Sequence, residues 1–250
     1  MSRSDRDHAP PCAFPGARIL VFAKRPAPGQ VKTRLIPALG PERAAALHRA
    51  LVVDTLARTS AAGLCPVELW CHPDANDAFL QVCGQRFGAR LRVQRGADLG
   101  QRMSQALGCA LREAQSALIV GSDCPGVGPA ELAAALRLLQ GATCDAVFGT
   151  VEDGGYGMVG ARRAAPALFR DIDWGTARVM SQTRQRLREG GWCWAEIPVG
   201  WDVDGPEDLA RLRAGGGGAG LAAAASSAYF RPTVESQRGL SLDALWPIRH

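Results

Sequence analysis

The sequence predicts an α/β fold, a mostly parallel sheet with helices on both faces in a single domain. Two observations carry this prediction. Short apolar runs with β-branched members alternate along the chain with longer stretches of helical periodicity. The polar motifs each follow one of those apolar runs, where the carboxyl ends of parallel strands would gather them around one crevice. With 250 residues, 47% hydrophobic and 21% charged, the chain has the composition of a globular domain rather than a disordered one.

The run ARILVFAK, from Ala17, reads as a strand bounded by Gly16 and the loop RPAPG. Gly40-Pro41-Glu42 places proline and an acid at a helix start, and that helix runs to Gly63. VELWC (67–71) is a second strand, 74–87 a helix, and LRVQR (91–95) a third strand. In DLGQRMSQALGCALREA, Leu99, Met103, Leu107 and Leu111 recur at helical spacing, with Asp98 and Gln101 as a capping box. SALIVG is a strand running into SDCP, and PAELAAALRLL is a helix with Pro129 in its first turn. DAVFGTV and MVGA are strands around the turn EDGGYG. Residues 176–189 form a helix with Thr176 as N-cap, WAEIPVGWDVD closes with a strand, and PEDLARLR is a last helix.

Composition divides the chain into a flexible arm (1–16), a domain (17–213), and a low-complexity linker with a tail (214–250) that opens on GGGGAGLAAAASSA. The longest apolar runs, such as Ile19 to Ala23, are too short to span a bilayer. The N-terminus has no apolar stretch of a signal peptide, so a cytoplasmic location is expected. The net charge of +5 is mild and scattered, which argues against a nucleic-acid partner. The eight cysteines include no C-x-x-C pair; buried, reduced thiols are expected rather than a zinc cage.

The loop KRPAPGQVKTRL offers Lys24, Arg25, Lys32 and Arg34 around a turn containing Pro26, Pro28 and Gly29. Of the 29 basic residues only Lys24 and Lys32 are lysines, as though compact ammonium charges were needed there. Four cations after the first strand suit a di- or triphosphate, the competing reading being a solvated basic loop. A P-loop is excluded, because Val31 stands where glycine must precede Lys32. Asp123, at the tip of the SALIVG strand with no local basic partner, suits a divalent cation that shares phosphate oxygens, Mg²⁺ or Mn²⁺. A turn-forming aspartate explains it equally. Asp202 and Asp204 fall on one side of a strand, and Asp204 has a competing role as N-cap of the PEDL helix, which leaves Asp202 as the better metal or acceptor candidate. Asp153 precedes two glycines that allow close backbone approach, and could orient a sugar or deprotonate an acceptor hydroxyl. Arg102, one turn into its helix, could reach phosphate. Trp174 reads as core packing before a stacking wall.

In this order, FAKRPAPGQVKTRL, ADLGQRM, GSDCP, EDGGYGMVG, the W-G-T turn and DVDGPEDL resemble the DUF2064 family over about residues 17–213. Members of that family are identified as glycosyltransferases of the nucleotide-diphospho-sugar transferase superfamily, some as transferase 1 proteins associated with radical-SAM and selenium genes. The resemblance implies a GT-A, Rossmann-like sheet, a divalent metal on Asp123, and phosphate contacts from Lys24, Lys32 and Arg34. The sequence departs from the family pattern in the segment GTVEDGGYGMVG, which lacks the usual proline-alanine pair before the acid and has Gly157 in place of a second tyrosine, and at Gly175, which replaces a serine or threonine. The expected activity is metal-dependent glycosyl transfer from a nucleotide-sugar to a small-molecule acceptor. The alternatives are nucleotidyl transfer from a nucleoside triphosphate and an inactive nucleotide-binding module.

Overall fold

The computed structural model describes residues 12–216 apart from 142, 143 and 165; most of the predicted arm and tail lies outside them. Seven strands form one sheet: β1 (Ala17–Lys24), β2 (Val67–His72), β3 (Arg90–Val93), β4 (Ser116–Gly121), β5 (Ala146–Val151), β6 (Tyr156–Ala161) and β7 (Trp194–Gly200). Their order is β3-β2-β1-β4-β6-β5-β7, all parallel except β6, which runs antiparallel to both its neighbours. The helices are α1 (Ile36–Leu39), α2 (Pro41–Ala61), α3 (Ala78–Arg86), α4 (Leu99–Ala110), α5 (Pro129–Gln140), α6 (Val179–Glu189) and α7 (Pro206–Arg211).

Alternate residues of the central strands feed two cores. Ile19 and Val21 of β1, with Leu118 and Val120 of β4, pack against α2, α3 and α5 through Val52, Leu56, Leu80 and Leu132. Leu20, Phe22, Ala117 and Ile119 point to the other face and meet Met103, Leu107, Met180 and Leu187 of α4 and α6. Strands buried on both faces read as continuous apolar runs, which is why β1 and β4 are unbroken in sequence.

A third cluster lies off the sheet. Leu35 and Leu39 of the basic segment, Leu47 and Leu51 of α2, and Trp201, Val203, Leu209 and Leu212 pack together. It fastens the loop after β1 to the loop after β7, at the same end of the sheet.

Several local expectations change. The ordered packing begins before Ala17: Phe14 N–H donates to Leu64 O (2.7 Å) and its ring lies against the first core. The basic loop closes in a 3₁₀ turn (Thr33–Leu35) and α1, where the sequence shows only a loop. β7 ends at Gly200, so the DVD segment is not strand. Thr176 does not cap α6; its hydroxyl donates to Asp173 O (2.8 Å) and closes a turn ahead of the helix. Five cysteines are buried, but Cys12 and Cys109 are half-buried and Cys193 is exposed. Asp98 caps α4 as predicted, accepting from Gln101 N–H at 2.8 Å.

The Leu35→Ala variant is expected to lose about 2–5 kcal/mol of stability through the cavity it leaves, read from urea unfolding. An unchanged midpoint would show that the third cluster does not fasten the two loops.

Candidate active site

The parallel pairing of β1 with β4, in register with Phe22 opposite Gly121, is the point where the chain's strand order reverses. Crossover connections leave opposite faces there, so a crevice opens beyond the two carboxyl ends. Lys24 ends β1 and Asp123 follows β4, and both line a cleft of about 570 Å³.

The backbone joins the acidic loops. Val203 N–H donates to Asp123 O (2.9 Å), and the Cys124 thiol donates to Trp201 O (3.3 Å). Burial pushes that thiol up to about 12, so Cys124 is a packing group and not a nucleophile. Asp204 is no N-cap. The cap of α7 is Gly205, and Asp208 accepts from the N–H groups of Asp204 (2.9 Å) and Gly205 (2.6 Å). That frees the Asp204 carboxylate for the cleft, where Arg34 Nη1 donates to it at 2.6 Å.

Lys32 holds the centre. Its Nζ donates to Asp123 Oδ2 at 3.1 Å and lies 4.0 Å from Asp204 Oδ1, with its side chain 5% exposed against 42% for Asp123. Asp123 therefore has a basic partner, supplied by a residue distant in sequence. Lys32 also carries a left-handed backbone (φ 46°, ψ 44°), which costs a non-glycine residue about 1–2 kcal/mol. Burial pushes the Asp123 carboxyl up, but the charge and hydrogen bond of Lys32 outweigh it and hold the group below the usual carboxylate range. Among the described residues Asp202 has no cation in ion-pair contact. Burial first, then the charges of Asp123 and Asp153, raise it to about 6.

The other predicted residues divide. Lys24 lines the cleft while Nζ donates to Gln30 O (2.8 Å), stapling the loop closed. Arg102 lines it with Nε buried and unpartnered. Asp153 lines it as well, its Oδ1 accepting from Gly155 N–H at 2.8 Å. Arg25 is not among the lining residues; its backbone N–H donates to His72 O (2.7 Å). The structure thus brings Lys24, Lys32, Arg34, Arg102, Asp123, Asp153 and Asp202 to one cleft and leaves Arg25 behind it.

Sequence reasoning passed over His48. This α2 residue is 6% exposed, and its Nε2 donates to Lys24 O at 2.9 Å, which leaves the Nδ1 lone pair buried without a partner on the cleft wall. Burial and then Lys32 lower its pKa to about 4, so the imidazole is neutral. A histidine in an apolar helix stretch carries no sequence signal that separates it from a core residue. His72, the last residue of β2, also lines the cleft.

The far wall is apolar. Trp174, half-buried, meets Tyr156 edge to face at 6.3 Å, with Leu99 and Met103 beside it. The two glycine departures from the family pattern sit in tight or left-handed surroundings. A Cβ on Gly157 would fall 2.7 Å from Cys124 Cβ, and Gly175 sits at φ 78°, where serine or threonine is strained.

Among the described residues, no three His, Cys, Asp or Glu side chains converge on one metal position. Mg²⁺ is ordinarily held by one or two carboxylates and completes its shell with phosphate oxygens and water. Asp123 with Asp202 fits that pattern: both line the cleft, and Asp202, raised first by burial and then by the charges of Asp123 and Asp153, stands where a cation would relieve it.

The family model described as an uncharacterized protein conserved in bacteria (DUF2064) matches residues 55–176. A crystal structure from Desulfovibrio desulfuricans, provisionally described as a nucleotide-diphospho-sugar transferase, is 30% identical with a TM-score of 0.73. That match covers 87% of this chain and 93% of the other. Two further solved structures are similar in fold alone. One is 4-diphosphocytidyl-2C-methyl-D-erythritol synthase from Anaerococcus prevotii (10% identity, TM-score 0.53, covering 80% of this chain and 97% of that one). The other is CMP:2-keto-3-deoxy-manno-octonic acid synthetase complexed with CTP (14%, 0.51, covering 79% and 97%). No curated protein matches the sequence. The likeness to the Desulfovibrio protein runs over nearly all of both chains, and with the family match over residues 55–176 it makes this chain a member of the DUF2064 family, within the nucleotide-diphospho-sugar transferase superfamily.

Proposed function

We propose that the protein is a metal-dependent transferase that takes a nucleotide-diphospho-sugar as donor and a small molecule as acceptor. The observation that carries this reading is the convergence of Lys32, Arg34, Asp123 and Asp202 on one cleft at the carboxyl ends of β1, β4 and β7. Lys24, Lys32 and Arg34 bind the diphosphate, the lysines as point charges and the arginine as a fork. Asp123 and Asp202 hold Mg²⁺ or Mn²⁺, which supplies neutralisation of the charge that builds on the departing nucleotide. Asp153, which lines the cleft near the apolar wall, orients the acceptor or takes its hydroxyl proton.

A second reading, nucleotidyl transfer with release of pyrophosphate, is favoured by the same loop, because three cations lining one cleft also suit a triphosphate. The two differ in product. Melting curves against nucleotide-sugars and nucleoside triphosphates, with and without Mn²⁺, give the donor, since a ligand of the native state raises the melting temperature. Product analysis then separates nucleoside diphosphate from pyrophosphate. No shift with any of these compounds would overturn both readings.

Asp123→Asn is expected to lower turnover about 100-fold or more while the circular dichroism spectrum is kept. Unchanged turnover would remove Asp123 from the reaction. Native Asp202, raised to about 6, binds its proton more tightly than the unfolded chain does. Its contribution to stability is therefore present at low pH and is lost as the pH rises through about 6. Asp202→Asn is expected to raise the melting temperature at pH 8 by about 2–4 °C and to flatten its change between pH 4 and 6. A variant that melts lower at pH 8 would show that the ionised Asp202 carboxylate is not destabilised by its burial and its acidic neighbours.

A further inference from the structure

A carboxylate that is to hold a metal would be expected to face open space, and Lys32 occupies Asp123 instead. Asp123 Oδ1 lies 3.0 Å from the position a Cβ on Gly121, itself a cleft residue, would take. Lys32 Nζ donates to the other oxygen, Oδ2, at 3.1 Å, and the Asp123 side chain lines the cleft. An ammonium hydrogen-bonded to a carboxylate and a divalent cation on the same carboxylate repel each other and divide its negative charge between them. The side chain of Lys32 is nearly sealed from solvent, so water screens little of that repulsion.

The geometry also supplies a second place for the ammonium. Asp204 Oδ1 is 4.0 Å from Nζ, while Arg34 occupies Asp204 Oδ2 at 2.6 Å. A flexible four-carbon stem can shift from one carboxylate towards the other without moving its backbone, which a planar guanidinium fork could not do as freely. The stem is rooted at a left-handed residue between the buried Val31 and Leu35, so its base is fixed and only its tip has freedom.

We propose that Lys32 is an internal cation that keeps Asp123 closed to divalent metal until the phosphates of a nucleotide draw its ammonium away. This rests on the reading that Asp123 meets a metal and Lys32 meets phosphate. It adds an order: the metal site is assembled by the nucleotide and does not stand ready before it. Neutral His48, with its bare Nδ1 on the same wall, adds no competing positive charge to the exchange.

The test needs no nucleotide. Free Mn²⁺ is counted by electron paramagnetic resonance during titration of the wild type, Lys32→Met, Lys32→Gln, Lys32→Arg, and Lys32→Met combined with Asp123→Asn. The Met and Gln variants are expected to bind one Mn²⁺ at least about tenfold more tightly than the wild type. The Arg variant keeps its cation and should behave as the wild type does, and the double variant should lose the gain. Melting curves give a second reading: Mn²⁺ should raise the melting temperature of Lys32→Met and leave the wild type unmoved. The proposal is overturned if the wild type binds Mn²⁺ alone as tightly as the variants, if none of them binds it, or if the gain survives Asp123→Asn. Absence of any nucleotide-induced melting shift in the wild type would instead sink the functional reading, and the Mn²⁺ comparison would still be decided on its own terms.

Discussion

The parallel contact between β1 and β4 is the constraint on which the rest of the structure depends. It makes the sheet diverge in two directions, and it sets the end of an apolar strand beside the start of an acidic loop. The basic segment and the Asp123 segment are 91 residues apart where they meet through Lys32, yet the register leaves them no other end of the sheet to occupy. The cleft is a result of topology before it is a result of any side chain.

Holding opposite charges in that crevice requires support from outside it. The third apolar cluster provides this by pinning Leu35 behind Lys32 and Val203 behind Asp204, so the chain ends of two distant strands share one packed base. Val203 N–H to Asp123 O completes the tie. The acids so gathered are not equivalent. Asp123 and Asp204 have cationic partners; Asp202, two residues before Asp204, has no ion pair among the described residues and holds its proton more firmly than an ordinary carboxylic acid. Uneven partnering of this kind gives neighbouring carboxylates separate roles.

Much of the fold was legible because its signals are local. Leu99, Met103 and Leu107 repeat at helical spacing, Asp98 caps in place, and the β1 and β4 runs are apolar because both their faces are covered. The candidate site was legible wherever a polar motif followed a strand. What failed depended on the third dimension. Asp204 looked like a cap until Asp208 took the helix N-terminus from it. Asp123 looked unpartnered because its partner is remote in the chain. Arg25 looked like part of the phosphate loop, but the turn after β1 sends its neighbours Lys24 and Lys32 into the cleft without it. His48 showed nothing at all, since a helix face that packs and a helix face that lines a crevice have the same periodicity.

The margins of the sheet carry a consequence of another kind. At one side β3 is four residues long and carries Arg90 and Arg92, both paired with Glu113. At the other, β7 includes Pro198, which has no N–H to offer. A short charged strand and a proline-interrupted one are poor templates for a foreign strand. Sheet growth from either border is therefore disfavoured, and the molecule guards against edge-to-edge aggregation while keeping a seven-stranded sheet intact.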